Sequence, residues 1–294
     1  MIAQRTIGNM KVSAIGLGAM PMSIEGRPED RQQSIRTIHA ALDAGVTLVD
    51  TADAYHLYAN EIGHNESLVQ EALGSWGGDP SSILVATKGG HVRPGDGRWL
   101  LDGRPGHLKE AARASARRLG VKAIGLYKLH RPDPDVPYAD SVGALADLLD
   151  AGTIVRAGIS NVSTDQIREA NDVLGGRLAA VQNRFSPAFR SSEPELAYCA
   201  AQSIAFLPWS PLSGIKNAAS LGENFAPFAE MANRYGVSTQ VICLAWELAK
   251  AEVVIPIPGS SRPDTITDSV TAADLQLTDE DVARLDAVLP VDLD

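Results

Sequence analysis

The sequence predicts a single (β/α)8 TIM barrel over residues 1–294, with an N-terminal β-hairpin and an extra C-terminal helix. Three observations carry that prediction. Short β-branched runs alternate along the whole chain with longer amphipathic stretches. Many of those stretches stop at a glycine just past the last turn, as in ALDAGV, RRLGV and LLDAGT. Almost every run closes on a polar side chain, and the carboxyl ends of barrel strands are where such a fold builds its site.

Taken in order, residues 6–15 read as a hairpin turning near Gly8 and Asn9, placed to plug the bottom of the barrel. The eight runs are 15–19, 46–50, 83–88, 123–130, 154–160, 179–183, 204–208 and 253–257. The helices that follow them are 31–44, 67–73, 108–119, 140–149, 164–174, 195–202, 238–250 and 264–272. Residues 278–288 form a last helix, opened by Thr278 with Asp281 three positions on, the spacing of a capping box. A doubly wound sheet is the competing architecture. It requires a glycine fingerprint opening a helix, and the nearest candidate, GLGAMP at 16–21, ends in Pro21 with no amphipathic helix behind it.

Composition narrows the function. An apolar fraction of 45% supplies a large core. The net charge, 26 − 36 = −10, argues against a general affinity for nucleic acid or anionic membrane. No run approaches the roughly 18 apolar residues of a membrane span. The N-terminus MIAQRTIGNM has no basic-then-apolar leader, so a soluble cytoplasmic protein is expected. Cys199 and Cys243 sit in Ala-rich helical segments and read as small buried hydrophobes. No metal is expected.

The strand ends point to chemistry. The second run ends at Asp50, the third at Lys88 and the fourth at His130. Later runs end at Ser160-Asn161, Gln182-Asn183, Trp209-Ser210-Pro211 and Gly259-Ser260-Ser261-Arg262. Alone, a strand-end Asp is a turn former, a Lys a solvated charge and a His a structural residue. Three in succession are another matter, especially with only seven lysines in the chain. Tyr55 follows Asp50 closely. A phenol is a weak acid with a pKa of about 10, but a nearby ammonium stabilises its phenolate. A carboxylate holds that ammonium charged, and an imidazole can bond a substrate oxygen. Such a set protonates a carbonyl oxygen while hydride reaches its carbon, and a nicotinamide has to supply the hydride.

These residues resemble the aldo-keto reductases, NAD(P)H-dependent carbonyl reductases with a (β/α)8 fold, nearly end to end. GVTLVDTADAY at 45–55 is similar to the family signature around its Asp and Tyr, and GHNE at 63–66 to the motif that follows it. ATK at 86–88 and LH at 129–130 match the lysine and histidine strands. GISN at 158–161, VQN at 181–183, WSPL at 209–212 and IPGS at 257–260 resemble cofactor-binding stretches. The resemblance implies Tyr55 as general acid, Lys88 lowering its pKa, Asp50 pairing with Lys88, and His130 orienting the carbonyl of a small-molecule substrate. It implies Ser160, Asn161 and Gln182 on the nicotinamide carboxamide and Trp209 stacked on the ring. It further implies cofactor contacts from Ala19, Met20, Asp50, Ser210, Pro211, Leu212, Gly214, Gly259, Ser260, Ser261, Arg262 and Asp268. An Arg262 pairing with a 2′-phosphate favours NADPH over NADH.

The chain departs from the family pattern in places. Thr265 and Asp268-Ser269 replace the Arg and Glu-Asn that usually close the last motif. Residues 56–62 lengthen the loop after Tyr55, adding a rival phenol, Tyr58, and placing His56 at the mouth of the pocket or in a solvated loop. By alternation Lys128 and Arg156 face the barrel interior with His130 and Ser160, and are expected in a structural polar layer beneath the site. Substrate choice is assigned to loops 89–106, 131–138 and 216–227 and to the C-terminal tail, whose last residues, 291–294, lie outside the described residues; the first loop carries Trp99 on a lid or surface loop. Two rival functions remain. One is an NADPH-binding regulatory subunit, which His130 disfavours because the related channel subunits carry Asn there. The other is a Schiff-base lyase using Lys88, which the nearby carboxylate disfavours.

Overall fold

The barrel is entered through a plug. In the computed structural model, which describes residues 2–290, β1 (Gln4–Ile7) and β2 (Met10–Ser13) pair antiparallel across a turn at Gly8. Gly8 has φ +59°, the left-handed region that favours glycine. The hairpin's Ile7 and Val12 are fully buried against Leu48, Leu84, Leu126 and Ala180, the lowest layer of the barrel interior. Burying each such leucine stabilises the fold by roughly 1.5–3 kcal/mol.

Seven parallel strands then curl side by side. They are β3 (Leu17–Gly18), β4 (Leu48–Asp50), β5 (Leu84–Gly89), β8 (Leu126–Leu129), β9 (Ala157–Ser160), β10 (Leu178–Gln182) and β11 (Ala205–Phe206), hydrogen-bonded in that order. β6 (His91–Val92) and β7 (Leu100–Leu101) form a small antiparallel arm above β5. Residues 253–259 close the ring as the eighth strand. On one side Ile255 and Ile257 donate to Phe206 and Pro208; on the other Gly16 and Gly18 donate to Pro256 and Pro258. Pro256 and Pro258 have no N–H to return to the first strand, so this seam forms no regular ladder and is bridged only at Gly18 and Gly259.

Helices cover the barrel: α1 (Arg31–Asp43), α2 (His64–Ser75), α3 (Pro105–Leu119), α4 (Tyr138–Asp150), α5 (Thr164–Val173), α6 (Glu193–Gln202), α7 (Leu221–Asn224), α8 (Ala226–Tyr235), α9 (Thr239–Lys250), α10 (Pro263–Val270) and α11 (Asp279–Asp286). α7 lies within the 216–227 segment that reads in the sequence as a loop, and α8 fills residues to which the sequence assigns no element. At α11 the Thr278 hydroxyl accepts from the Asp281 amide and donates to its carboxylate.

Strand alternation decides what reaches the site. Along β8, Tyr127 and Leu129 face the helices, while Leu126, Lys128 and then His130 face inward. The same parity turns Asp50, Lys88, Ser160 and Gln182 inward. Lys128 stands level with Lys88 across the β5–β8 pair and with Gly158 across the β8–β9 pair. A Cβ on Gly158 would lie 2.8 Å from Lys128 Cγ, so glycine there is what lets the lysine cross the barrel. Arg156 behaves differently. Its guanidinium donates to Gly125 O and Asn9 Oδ1 at the hairpin end, one level further down.

Candidate active site

β5 brings Lys88 to the centre of the site, and all three of its N–H groups are used. Nζ donates to Asp50 Oδ2 at 2.5 Å, to Thr51 O at 2.9 Å and to the Tyr55 hydroxyl at 2.9 Å. Asp50 Oδ1 accepts from Lys128 Nζ, which also donates to Gln182 Oε1. Lys128 was expected below the site; it instead shares the site's carboxylate, because its long side chain spans the space left by Gly158. Two buried ammonium groups therefore meet one buried carboxylate, and the cluster carries a surplus positive charge when both are protonated.

The electrostatics follow from burial and this pairing. Burial pushes the Asp50 carboxyl up, but Lys128 and Lys88 outweigh it and hold the group below its usual range. Burial also disfavours charge on Lys88, but Asp50 and Tyr55 reverse that and raise it. Lys128 lacks the phenol, and burial brings it down to about 8. Burial raises the Tyr55 phenol above its ordinary value, with Lys88 pulling the other way. The expected lowering by Lys88 is present, but desolvation is the larger effect. His130 is pushed well below the usual imidazole range by burial, with Lys88 and His91 adding to the effect, so its ring is neutral. Its Nδ1 is buried without a hydrogen-bond partner, which leaves Nε2 as the nitrogen facing the cavity.

The opposite wall is built by loops after β9 and β11. Ser160 Oγ donates to Gln182 O, and Asn161 Nδ2 donates to His130 O. Trp209 Nε1 donates to Asn161 Oδ1 at 3.1 Å, which holds the indole against the cavity. Ser210, Ser213 and Gly214 adopt left-handed backbone (φ 51°, 65° and 98°), and Ser213 Oγ is buried with no partner.

These groups surround a cavity of about 330 Å³. Asp50, Tyr55, Lys88 and His130 line it, as do Met20, Ser160, Asn161, Gln182, Trp209, Ser210, Pro211, Leu212, Gly214 and Gly259. Ala19, Ser260, Ser261, Arg262 and Asp268 do not. Ser260 bonds within its own loop to the Arg262 amide, and Asp268 accepts the Ser238 hydroxyl. The rival phenol is excluded by position: Tyr55 is 5% exposed and Tyr58 is 58% exposed. His56 is buried outside the cavity, its Nδ1 on Tyr58 O and its carbonyl accepting from Arg93.

Two wall residues escaped the sequence reading: His91 is carried in by the β6–β7 arm, and Arg131 follows His130 directly. Trp99, expected on a lid or surface loop, comes in with the same arm and lines the cavity. Tyr55, His91, Trp99 and His130 meet edge to face, with Tyr55 and His130 centroids 5.7 Å apart and His91 and His130 4.4 Å apart. Strand parity could not find these positions because the chain has left the sheet by then.

The profile of the aldo/keto reductase family matches residues 14–290. The chain belongs to the aldo/keto reductase family. An uncharacterized oxidoreductase of Schizosaccharomyces pombe is 36% identical over 283 residues, covering 95% of this chain and 88% of its own length. Pyridoxine 4-dehydrogenase of Escherichia coli is 28% identical, with 96% and 97% covered. Among solved structures, an aldo/keto reductase from Klebsiella pneumoniae in complex with NADP and acetate matches with a TM-score of 0.82 at 26% identity, covering 99% of this chain and 96% of that one. As an aldo/keto reductase the chain has the (β/α)8 fold of these relatives. Among its described residues no helix is long and apolar enough to cross a membrane, and no group of three His, Cys, Asp or Glu side chains is arranged to hold a metal.

Proposed function

We propose that this aldo/keto reductase converts a small aldehyde or ketone to its alcohol with NADPH, using Tyr55 as proton donor. One observation carries the reading: a buried phenol that lines the cavity, 2.9 Å from a buried ammonium, with a neutral imidazole beside it. The residues present suit the cofactor. The Trp209 indole offers a flat apolar face, and Gln182, Asn161 and Ser160 offer amide and hydroxyl groups for a carboxamide. Ser260, Ser261 and Arg262 continue from the cavity-lining Gly259 and are assigned to the adenosine phosphate. The NADP and NADPH complexes of the Klebsiella protein support this choice.

Bound nicotinamide supplies hydride to the carbonyl carbon. The protein's own part is protonic and electrostatic. Neutral His130, with its proton on Nε2, donates a hydrogen bond to the carbonyl oxygen; that tautomer leaves a bare Nδ1 lone pair buried, which costs less than burying an unpaired N–H. Tyr55 starts fully protonated because burial keeps its pKa high. It releases its proton to the substrate oxygen, and the phenolate left behind is met by Lys88. With both lysines charged, that phenolate brings the Asp50, Lys88 and Lys128 cluster from a net charge of +1 to zero. The test is carbonyl-dependent loss of NADPH absorbance over a panel of aldehydes and ketones, with the alcohol product identified. Tight NADPH binding with no turnover on any carbonyl would instead support the regulatory-subunit reading. The lyase reading has no support from Lys88, whose raised pKa keeps it an ammonium.

A further inference from the structure

The cavity has one strong cation with no counter-ion. Arg131 lines it, and its charge acts on both His91 and His130, lowering their pKa values alongside burial. Arg131 follows His130 directly in the chain and is exposed, at the solvent side of the cavity wall. Among the described residues no carboxylate pairs with it. The neighbouring arginines differ: Arg93 holds Glu25, Arg98 holds Asp96 and Arg104 holds Asp102. Asp50 is the sole carboxylate in the cavity wall, and Lys88 and Lys128 already occupy it. The wall is thus electropositive inside a chain whose net charge is −10.

We infer that the substrate is a small carbonyl compound bearing an anionic group, a carboxylate in the simplest case, and that Arg131 is its counter-ion. The inference rests on the carbonyl-reduction reading above. An acidic protein repels anions at long range, so an exposed guanidinium without an ion pair in the cavity wall, one residue from His130, gives the site a local preference for a negative substrate. A guanidinium also bonds a carboxylate with two parallel N–H groups, which fixes orientation as well as charge. With His130 bonding the carbonyl oxygen and Arg131 the acid, the substrate is held at both ends. The edges of Trp99 and His91 form the wall along which a flat substrate lies.

The test uses 4-carboxybenzaldehyde and its neutral methyl ester with NADPH. Wild-type protein is expected to reduce the acid with a kcat/KM about 10- to 100-fold above the ester, the range of one charge-assisted contact, mostly through KM. Added salt narrows the ratio. Arg131→Met lowers kcat/KM on the acid at least tenfold more than on the ester, and Arg131→Lys restores part of the difference; thermal melting checks that each variant is folded. Equal reduction of acid and ester by wild type, or an equal fall on both in Arg131→Met, overturns the anionic-substrate inference while leaving carbonyl reduction standing. Failure to reduce either compound overturns both.

Discussion

Replacing Lys88 by methionine tests the electrostatic core of the site. The perturbation removes the ammonium that sits 2.9 Å from the Tyr55 hydroxyl and 2.5 Å from Asp50. Coulomb's law at that separation, with an effective dielectric constant of about 20, gives a phenolate stabilisation of about 6 kcal/mol. A transition state with about half to full phenolate character then loses about 3–6 kcal/mol, or roughly 10²- to 10⁴-fold in rate. The fold should survive. Asp50 keeps Lys128, so a two-to-one cluster becomes a balanced pair, and methionine fills much of the vacated volume. With Lys88 gone, one influence lowering the pKa of Lys128 also disappears. Single-turnover mixing of the NADPH complex with aldehyde reads the chemical step directly. A loss of less than tenfold, in a variant that melts as wild type does, would refute the argument that Lys88 stabilises the developing phenolate.

Three further outcomes follow from the geometry. Lys128 titrates near 8 in the folded protein against 10.5 when exposed, so between those values the unfolded chain binds more protons and stability rises with pH, by at most about 3 kcal/mol from this group. Urea midpoints between pH 8 and 10.5 should show that rise in wild type and not in Lys128→Met; the same slope in both would contradict it. Arg262→Ala should raise KM for NADPH about tenfold while changing KM for NADH little, as loss of one phosphate contact predicts, and an equal effect on both cofactors would remove Arg262 from the 2′-phosphate. Tyr58→Phe should retain turnover within about twofold, since that phenol is exposed and makes no contact with Lys88.

The site was legible wherever alternation governs. Asp50, Lys88, Ser160 and Gln182 lie on parallel strands, where a period of two turns every second side chain inward, and the barrel brings those ends together. His130 follows the same count by one residue beyond β8. What escaped lies where the period lapses or a long side chain crosses it. Arg131 breaks the parity because the chain is already leaving the sheet. His91 arrives on an arm that no run of residues announces, and the same arm turns Trp99, legible only as a loop residue, into the cavity wall. Lys128 was placed correctly in facing but not in reach, because its path depends on the missing side chain of Gly158, a neighbour on another strand. The eighth strand was visible as an apolar run, but its two prolines remove donors facing Gly16 and Gly18, so it pairs there only through an isolated bridge. The 56–62 loop needed three-dimensional contacts to resolve, since Arg93 holds the His56 carbonyl from a distant part of the chain while Glu61 accepts from the Leu57 amide.

The central claim is that Tyr55 delivers the proton. Its most direct test is single-turnover oxidation of bound NADPH by Tyr55→Phe, with Tyr58 intact and the NADPH dissociation constant measured on the same preparation. The account predicts cofactor binding within about threefold of wild type and a hydride-transfer rate lower by roughly 10² to 10⁴. A rate close to wild type, with the cofactor bound as tightly, would contradict it and move the proton donor elsewhere in the cavity.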